Sequence, residues 1–123
     1  PAVAPLIGEF ALRDAGGDAT EEVLSTPGRL YMLCVTSFDA LSRPCARRMA
    51  SLVERAREEG AHVVCLTPDP LYGVTWHDFG SGEVRCYNID ASTMKTMLRA
   101  RNGLVVLDDG TISDKRNCRD IRP

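Results

Sequence analysis

An α/β domain with a central mixed sheet, helices on both faces and a C-terminal β-hairpin is the fold class this sequence predicts. Three observations predict it. Apolar runs of strand length recur at 30–36, 62–67 and 104–107, as continuous as strands buried on both faces require. A strongly amphipathic helical stretch separates the first two runs. The third is followed by Asp108-Asp109-Gly110, a strong hairpin-turn signal. The 123 residues fit one domain, 1–123, and leave little room for a second.

The elements follow in order. Phe10-Ala11-Leu12-Arg13 reads as a short strand, and Asp14 to Asp18 is turn-rich. Thr20 is placed to cap a short helix with Glu21 and Glu22 in its first turn, where negative charge meets the positive end of the helix dipole. Pro27-Gly28 ends that helix. After the first apolar strand, apolar residues at 45, 46, 49, 52, 53 and 56 form one helical stripe, and Gly60 supplies the stop. The stretch 71–83 has few periodic cues, and Val84 to Tyr87 reads as a short strand. Asp90 or Ser92 is placed to cap a helix through Met94, Met97 and Leu98, with Asn102-Gly103 ending it. Helices between the apolar strands imply parallel pairing by right-handed crossovers. The hairpin returns through Thr111-Ile112-Ser113, and the basic tail from Lys115 is expected on the surface.

Composition excludes several classes. With 44% hydrophobic and 26% charged residues the chain is too apolar to be disordered. A net charge of −2 gives no global attraction to nucleic acid, and the arginines at 43, 47, 48, 99 and 101 have no interleaved aromatic residues, so they read as a solvated face. No run approaches the roughly 20 apolar residues of a membrane span. His62 and the Trp76-His77-Asp78 triplet lack metal-ligand spacing, and the glycines at 73, 80 and 82 form no phosphate loop. No metal, nucleic acid or cofactor is expected. Pro1 follows no signal-like segment, and the absence of an initial Met suggests a domain excised from a larger protein.

Five cysteines carry the remaining chemistry. Cys34 and Cys65 lie inside apolar strands, where a thiol acts as a small hydrophobe. Cys45 opens the long helix beside Arg43, Arg47 and Arg48, surroundings that favour a thiolate. It also falls on the apolar stripe with Met49, Leu52 and Ala56, which points its sulfur inward. Cys86 and Cys118 are each able to resolve a bond to Cys45 where the fold brings their Cα atoms within about 7 Å. Of the two, Cys118, in the tail, is expected to be the more exposed. Ser42 is placed to cap the helix by accepting the N–H of Cys45.

A strand, a loop and then Ser42-Arg43-Pro44-Cys45 opening a long helix resembles the active-site corner of thioredoxin-like proteins, and "VVLDDGTI" resembles their final hairpin. The chain more specifically resembles the soluble domain attached to DoxX-type membrane proteins of Bacteroidetes. The resembling segments are "PLIGEFALRDAGGDATEEVLSTPG", "NIDASTMKTMLRARNGLVVLDDGTISDK" and the closing "RDI". The resemblance implies a thioredoxin-like fold and a parent protein tethered to a membrane, with the periplasmic face favoured.

Three positions depart from active thioredoxins. Ser42 replaces the attacking cysteine, Leu41 the neighbouring tryptophan, and Asn102, before Gly103, the cis-proline opposite the active site. A serine hydroxyl cannot perform thiol–disulfide exchange. The expected function is therefore an accessory or binding domain without dithiol oxidoreductase activity. Its contact surface would be built from the loop before Ser42, Ser42, Arg43, Pro44, Asn102, Gly103 and the 67–78 segment. The expected partner is the transmembrane region of its own parent chain or a separate protein. The alternative is a redox protein working through one thiol, Cys45.

Overall fold

A computed structural model of the chain describes residues 10–73 and 75–122; residues 5–9, the start of the first resembling segment, lie outside them. The strands are β1 (Leu12–Asp14), β2 (Gly17–Asp18), β3 (Arg29–Val35), β4 (His62–Thr67), β5 (Trp76–Asp78), β6 (Glu83–Ile89), β7 (Asn102–Asp108) and β8 (Thr111–Asn117). The helices are α1 (Thr20–Leu24), α2 (Arg43–Glu58) and α3 (Ala91–Met97), and a 3-10 turn spans Cys118–Asp120. The strands form one mixed sheet in the order β2-β1-β6-β4-β3-β7-β8, with β5 also paired to β6.

Period-two alternation explains the two sides of this sheet. On β3, Tyr31, Leu33 and Val35 join one apolar cluster, and Leu30, Met32 and Cys34 join the other. The first cluster is closed by α2 through Cys45, Met49, Leu52, Val53 and Ala56, the stripe expected from the sequence. The second is closed by Val23 of α1 and by Met94 and Met97 of α3. Helices on both faces of a mixed sheet with a C-terminal hairpin are thus the observed architecture. At the hairpin tip Asp109 and Gly110 both have positive φ (49° and 83°), as a two-residue type I′ turn requires.

Several local expectations are corrected. Thr20 is not the cap of α1 but its first residue; the Asp18 carboxylate accepts the Thr20 N–H, and the Thr20 hydroxyl instead accepts from Leu12 N across the small β1–β2 hairpin. The third helix stops at Met97, and Asn102-Gly103 opens β7 rather than closing the helix. That shortness has a topological consequence. Seven residues of helix cover about 10 Å, less than half the length of a seven-residue strand. The chain is not carried back to its starting end, so β7 runs antiparallel to β3 while β4 and β6 pair in parallel. The stretch 71–83 contains β5, whose three residues are too few for periodicity to register. The tail lies on the surface with Lys115, Arg116, Arg119 and Arg122 exposed, as expected, but it is pinned by Cys118 and Ile121, which are buried against α2.

Candidate functional site

The first turn of α2 is set by local chemistry. Ser42 has extended backbone angles, its hydroxyl oxygen accepts the Cys45 N–H at 3.2 Å, and its carbonyl accepts the Ala46 N–H at 2.9 Å. Pro44 follows at a position where a missing N–H costs nothing. Cys45 is then held at the first inward-facing position of the helix.

Three segments converge on that turn. The 36–42 loop is tied to the start of β7, where the Asn102 side-chain oxygen accepts the Thr36 N–H at 3.0 Å and the Thr36 hydroxyl donates to the Arg101 carbonyl. It is tied to the 67–78 segment by the Asp69 carboxylate, which accepts the Phe38 N–H at 2.9 Å. The Phe38 ring packs on His77 at 4.3 Å, and His77 meets Phe79 edge-on at 4.6 Å. Burial among these rings lowers the His77 pKa below its ordinary value, against the opposing pull of Asp78.

The third segment brings the partner of Cys45. Antiparallel pairing sets Gly103 opposite Asn117, so the residue after Asn117 lands beside the x-x-P-C corner. That residue is Cys118, and it forms a disulfide with Cys45, their Cα atoms 5.8 Å apart and 73 residues apart in sequence. Cys45 is therefore not a free thiol here; Cys118 is more exposed than Cys86, as expected, yet Cys45 and Cys118 are both buried, at 8% and 6% exposed. The Asn117 side chain accepts the Arg119 N–H and starts the 3-10 turn. Arg48, one turn along α2, donates to the Ile121 carbonyl at 2.7 Å.

Above the disulfide lies a cleft of about 470 Å³. Ser42, Pro44, Cys45 and Asn102 line it, so the structure assembles four of the six candidate positions expected around Cys45. Arg43 is exposed at the first position of α2 and does not line it. Gly103 lies buried beneath; a Cβ there would collide with the Arg116 carbonyl and the Leu98 side chain, so its role is close packing of β7. The rest of the wall is Arg48 and Cys118, both already linked to Cys45 by the sequence, and Arg101, Asn117 and Arg119, which were not. The wall carries three guanidinium groups and no carboxylate, in a chain of net charge −2. The Asp109-Gly110 turn was the usable signal for Cys118: counting back along both strands from it reaches Asn102 and the end of β8 together.

The remaining cysteines are thiols inside the sheet. Cys34, Cys65 and Cys86 are free and at most 1% exposed. Burial pushes the Cys34 pKa up to about 12 and raises Cys65 likewise. Among the described residues no group of three or more His, Cys, Asp and Glu could hold a metal ion, and no helix is long and apolar enough to cross a membrane.

With sheet order, helix placement and corner on the page, the fold is thioredoxin-like. Solved structures carry the same fold. A hypothetical protein, SMc02350, from Sinorhizobium meliloti 1021 matches with a TM-score of 0.50 at 18% identity, over 93% of this chain and 69% of that chain. The mitochondrial 2-Cys peroxiredoxin from Plasmodium falciparum matches with a TM-score of 0.50 at 11% identity, over 93% of this chain and 82% of that one. At these identities the likeness is one of fold. No family model matches the chain, and no curated protein matches it.

Proposed function

We propose that this chain is a thioredoxin-like accessory domain that binds a partner at the cleft over Cys45 and Cys118, without the dithiol oxidoreductase activity of a Cys-x-x-Cys protein. The observation that carries this reading is Ser42. The position that would hold the attacking thiolate holds a hydroxyl whose oxygen is engaged as the helix cap. Contact falls to Ser42, Pro44 and Asn102 in the cleft and to Arg43 at its edge, with Gly103 shaping the backbone beneath. The partner is the transmembrane region of the parent chain or a separate protein. The resemblance to DoxX-attached domains supports membrane tethering, and a disulfide supports the periplasmic side, because such bonds persist in oxidising compartments.

Insulin reduction with dithiothreitol as terminal reductant tests the reading. The purified chain is expected to leave the rate at that of dithiothreitol alone. A rate approaching that of an active thioredoxin sinks it.

A second reading, a redox protein working through Cys45 alone, draws on the placement of that residue in the first turn of α2 near Arg48. It requires the bond to Cys118 to open first. Turnover of a glutathione mixed disulfide by the reduced chain would favour it over the accessory reading.

A further inference from the structure

We infer that Cys118 Sγ is a thiol–disulfide exchange site at which an external dithiol opens the Cys45–Cys118 bond, and that opening it releases residues 118–122 from α2. This goes beyond the accessory reading and does not depend on it.

Access separates this pair from the other cysteines. Cys45 and Cys118 line an open cleft, and Cys34, Cys65 and Cys86 line none of the described cavities. The polarity of attack follows from the leaving group. Cys45 stands in the first turn of a 16-residue helix, at its positive dipole end, with its own N–H held by Ser42 and Arg48 one turn on. Placement at the helix dipole makes its thiolate the better stabilised of the two, and the better-stabilised thiolate leaves faster. Cys118 heads only a three-residue turn.

The exchange then balances. A thiolate of the external dithiol attacks Cys118 Sγ, forming a mixed disulfide; the Cys45–Cys118 bond breaks and Cys45 departs as thiolate. The second thiol of the reductant, deprotonated, attacks its own sulfur in the mixed disulfide and releases Cys118 as thiolate. The reductant ends as a disulfide, oxidised by two electrons, and the protein ends with two sulfhydryls or thiolates according to pH.

Besides the disulfide, Arg116 reaches the Asp120 carbonyl at 3.5 Å, and three further contacts fasten the segment. Arg48 holds the Ile121 carbonyl, Arg55 holds the Arg122 carbonyl at 2.8 Å, and one apolar side chain, that of Ile121, is buried. Ile121 also walls a cavity of about 360 Å³ together with Leu52, Leu104 and Val106. Departure of the segment widens that cavity between α2 and β7, uncovering Leu52, Leu104 and Val106 within a wall that also carries Arg29, Asp114 and Arg116. The redox state of one bond thereby sets how much of this face is open.

The test uses the intact chain. Oxidised protein in native buffer is treated with dithiothreitol, then with a maleimide, and mapped by mass spectrometry. Two labels are expected, on Cys45 and Cys118, with none on Cys34, Cys65 or Cys86. A bond that survives until denaturant is added, or labels on all five together, overturns the proposal. With glutathione in place of dithiothreitol the mixed disulfide is expected on Cys118; finding it on Cys45 overturns the stated polarity. Amide exchange of residues 117–122 is expected to quicken by about tenfold on reduction, with β3 unchanged and the effect reversed by oxidised glutathione. Unchanged exchange there overturns the release. The insulin assay is a separate readout, so failure of the accessory reading and failure of this one are told apart.

Discussion

Three cysteines sit on neighbouring strands in the middle of the sheet, and two meet at its corner. Cys65 and Cys86 are register partners on parallel β4 and β6 and lie in the same apolar cluster, yet they remain thiols. Side chains on adjacent strands stand side by side, perpendicular to the sheet. Their Cβ atoms keep roughly the 4.8 Å spacing of the strands and do not converge to the ~3.8 Å a disulfide needs. Cys45 and Cys118 approach from a helix and a turn, whose directions are free to converge. Adjacency in a sheet therefore leaves cysteines as packing, and the meeting of unlike elements makes a cross-link.

The largest expected effect breaks that contrast from the corner side. The double variant Cys45→Ser/Cys118→Ser loses about 3–4 kcal/mol of unfolding free energy against the oxidised chain, because the bond closes a loop of 73 residues. Each single variant loses about as much, so the two do not add. Urea unfolding measures all three; a double variant within about 1 kcal/mol of the parent would remove the distinction between corner and core.

The core side is sharpened by Cys34→Ser. It puts a hydroxyl at a fully buried position where the sulfur lies 3.7 Å from the Met32 carbonyl. A loss of about 1–3 kcal/mol is expected, equal in oxidising and reducing buffer. Dependence on reductant would mean that the sheet thiols also take part in exchange.

Ser42→Ala gives the smallest change, about 1 kcal/mol, through loss of the helix cap. The disulfide should survive it, as intact mass without alkylation would show. A larger loss, or a reduced Cys45, would show that the cap positions the cross-link as well as the helix.

How far the sequence reached depends on whether a feature is local. The apolar runs of β3 and β7, the stripe of α2, the Ser42 cap and the Asp109-Gly110 turn each lie within a few residues, and each stands as read. Among the site residues, Ser42, Pro44 and Asn102 were legible because they depart from or follow a pattern at one corner. Arg101 and Arg119 carried no pattern of their own and read as solvated charges. They reach the cleft only because β7 begins and β8 ends beside α2. The true end of α3 was masked by apolar Leu98, which continues the helical spacing but leaves the helix to pack under Gly103.

By itself the sequence determined the class of fold, the apolar runs of its central strands and the lack of any Cys-x-x-Cys pair, since periodicity, turn sterics and residue chemistry act over short spans. Only the tertiary structure decided the direction of β7, the burial of Ile121 and the choice of Cys118 over Cys86 as the partner of Cys45. Those depend on where distant chain ends arrive. A disulfide forms between sulfurs that the finished sheet brings together, and no spacing along the chain encodes that meeting.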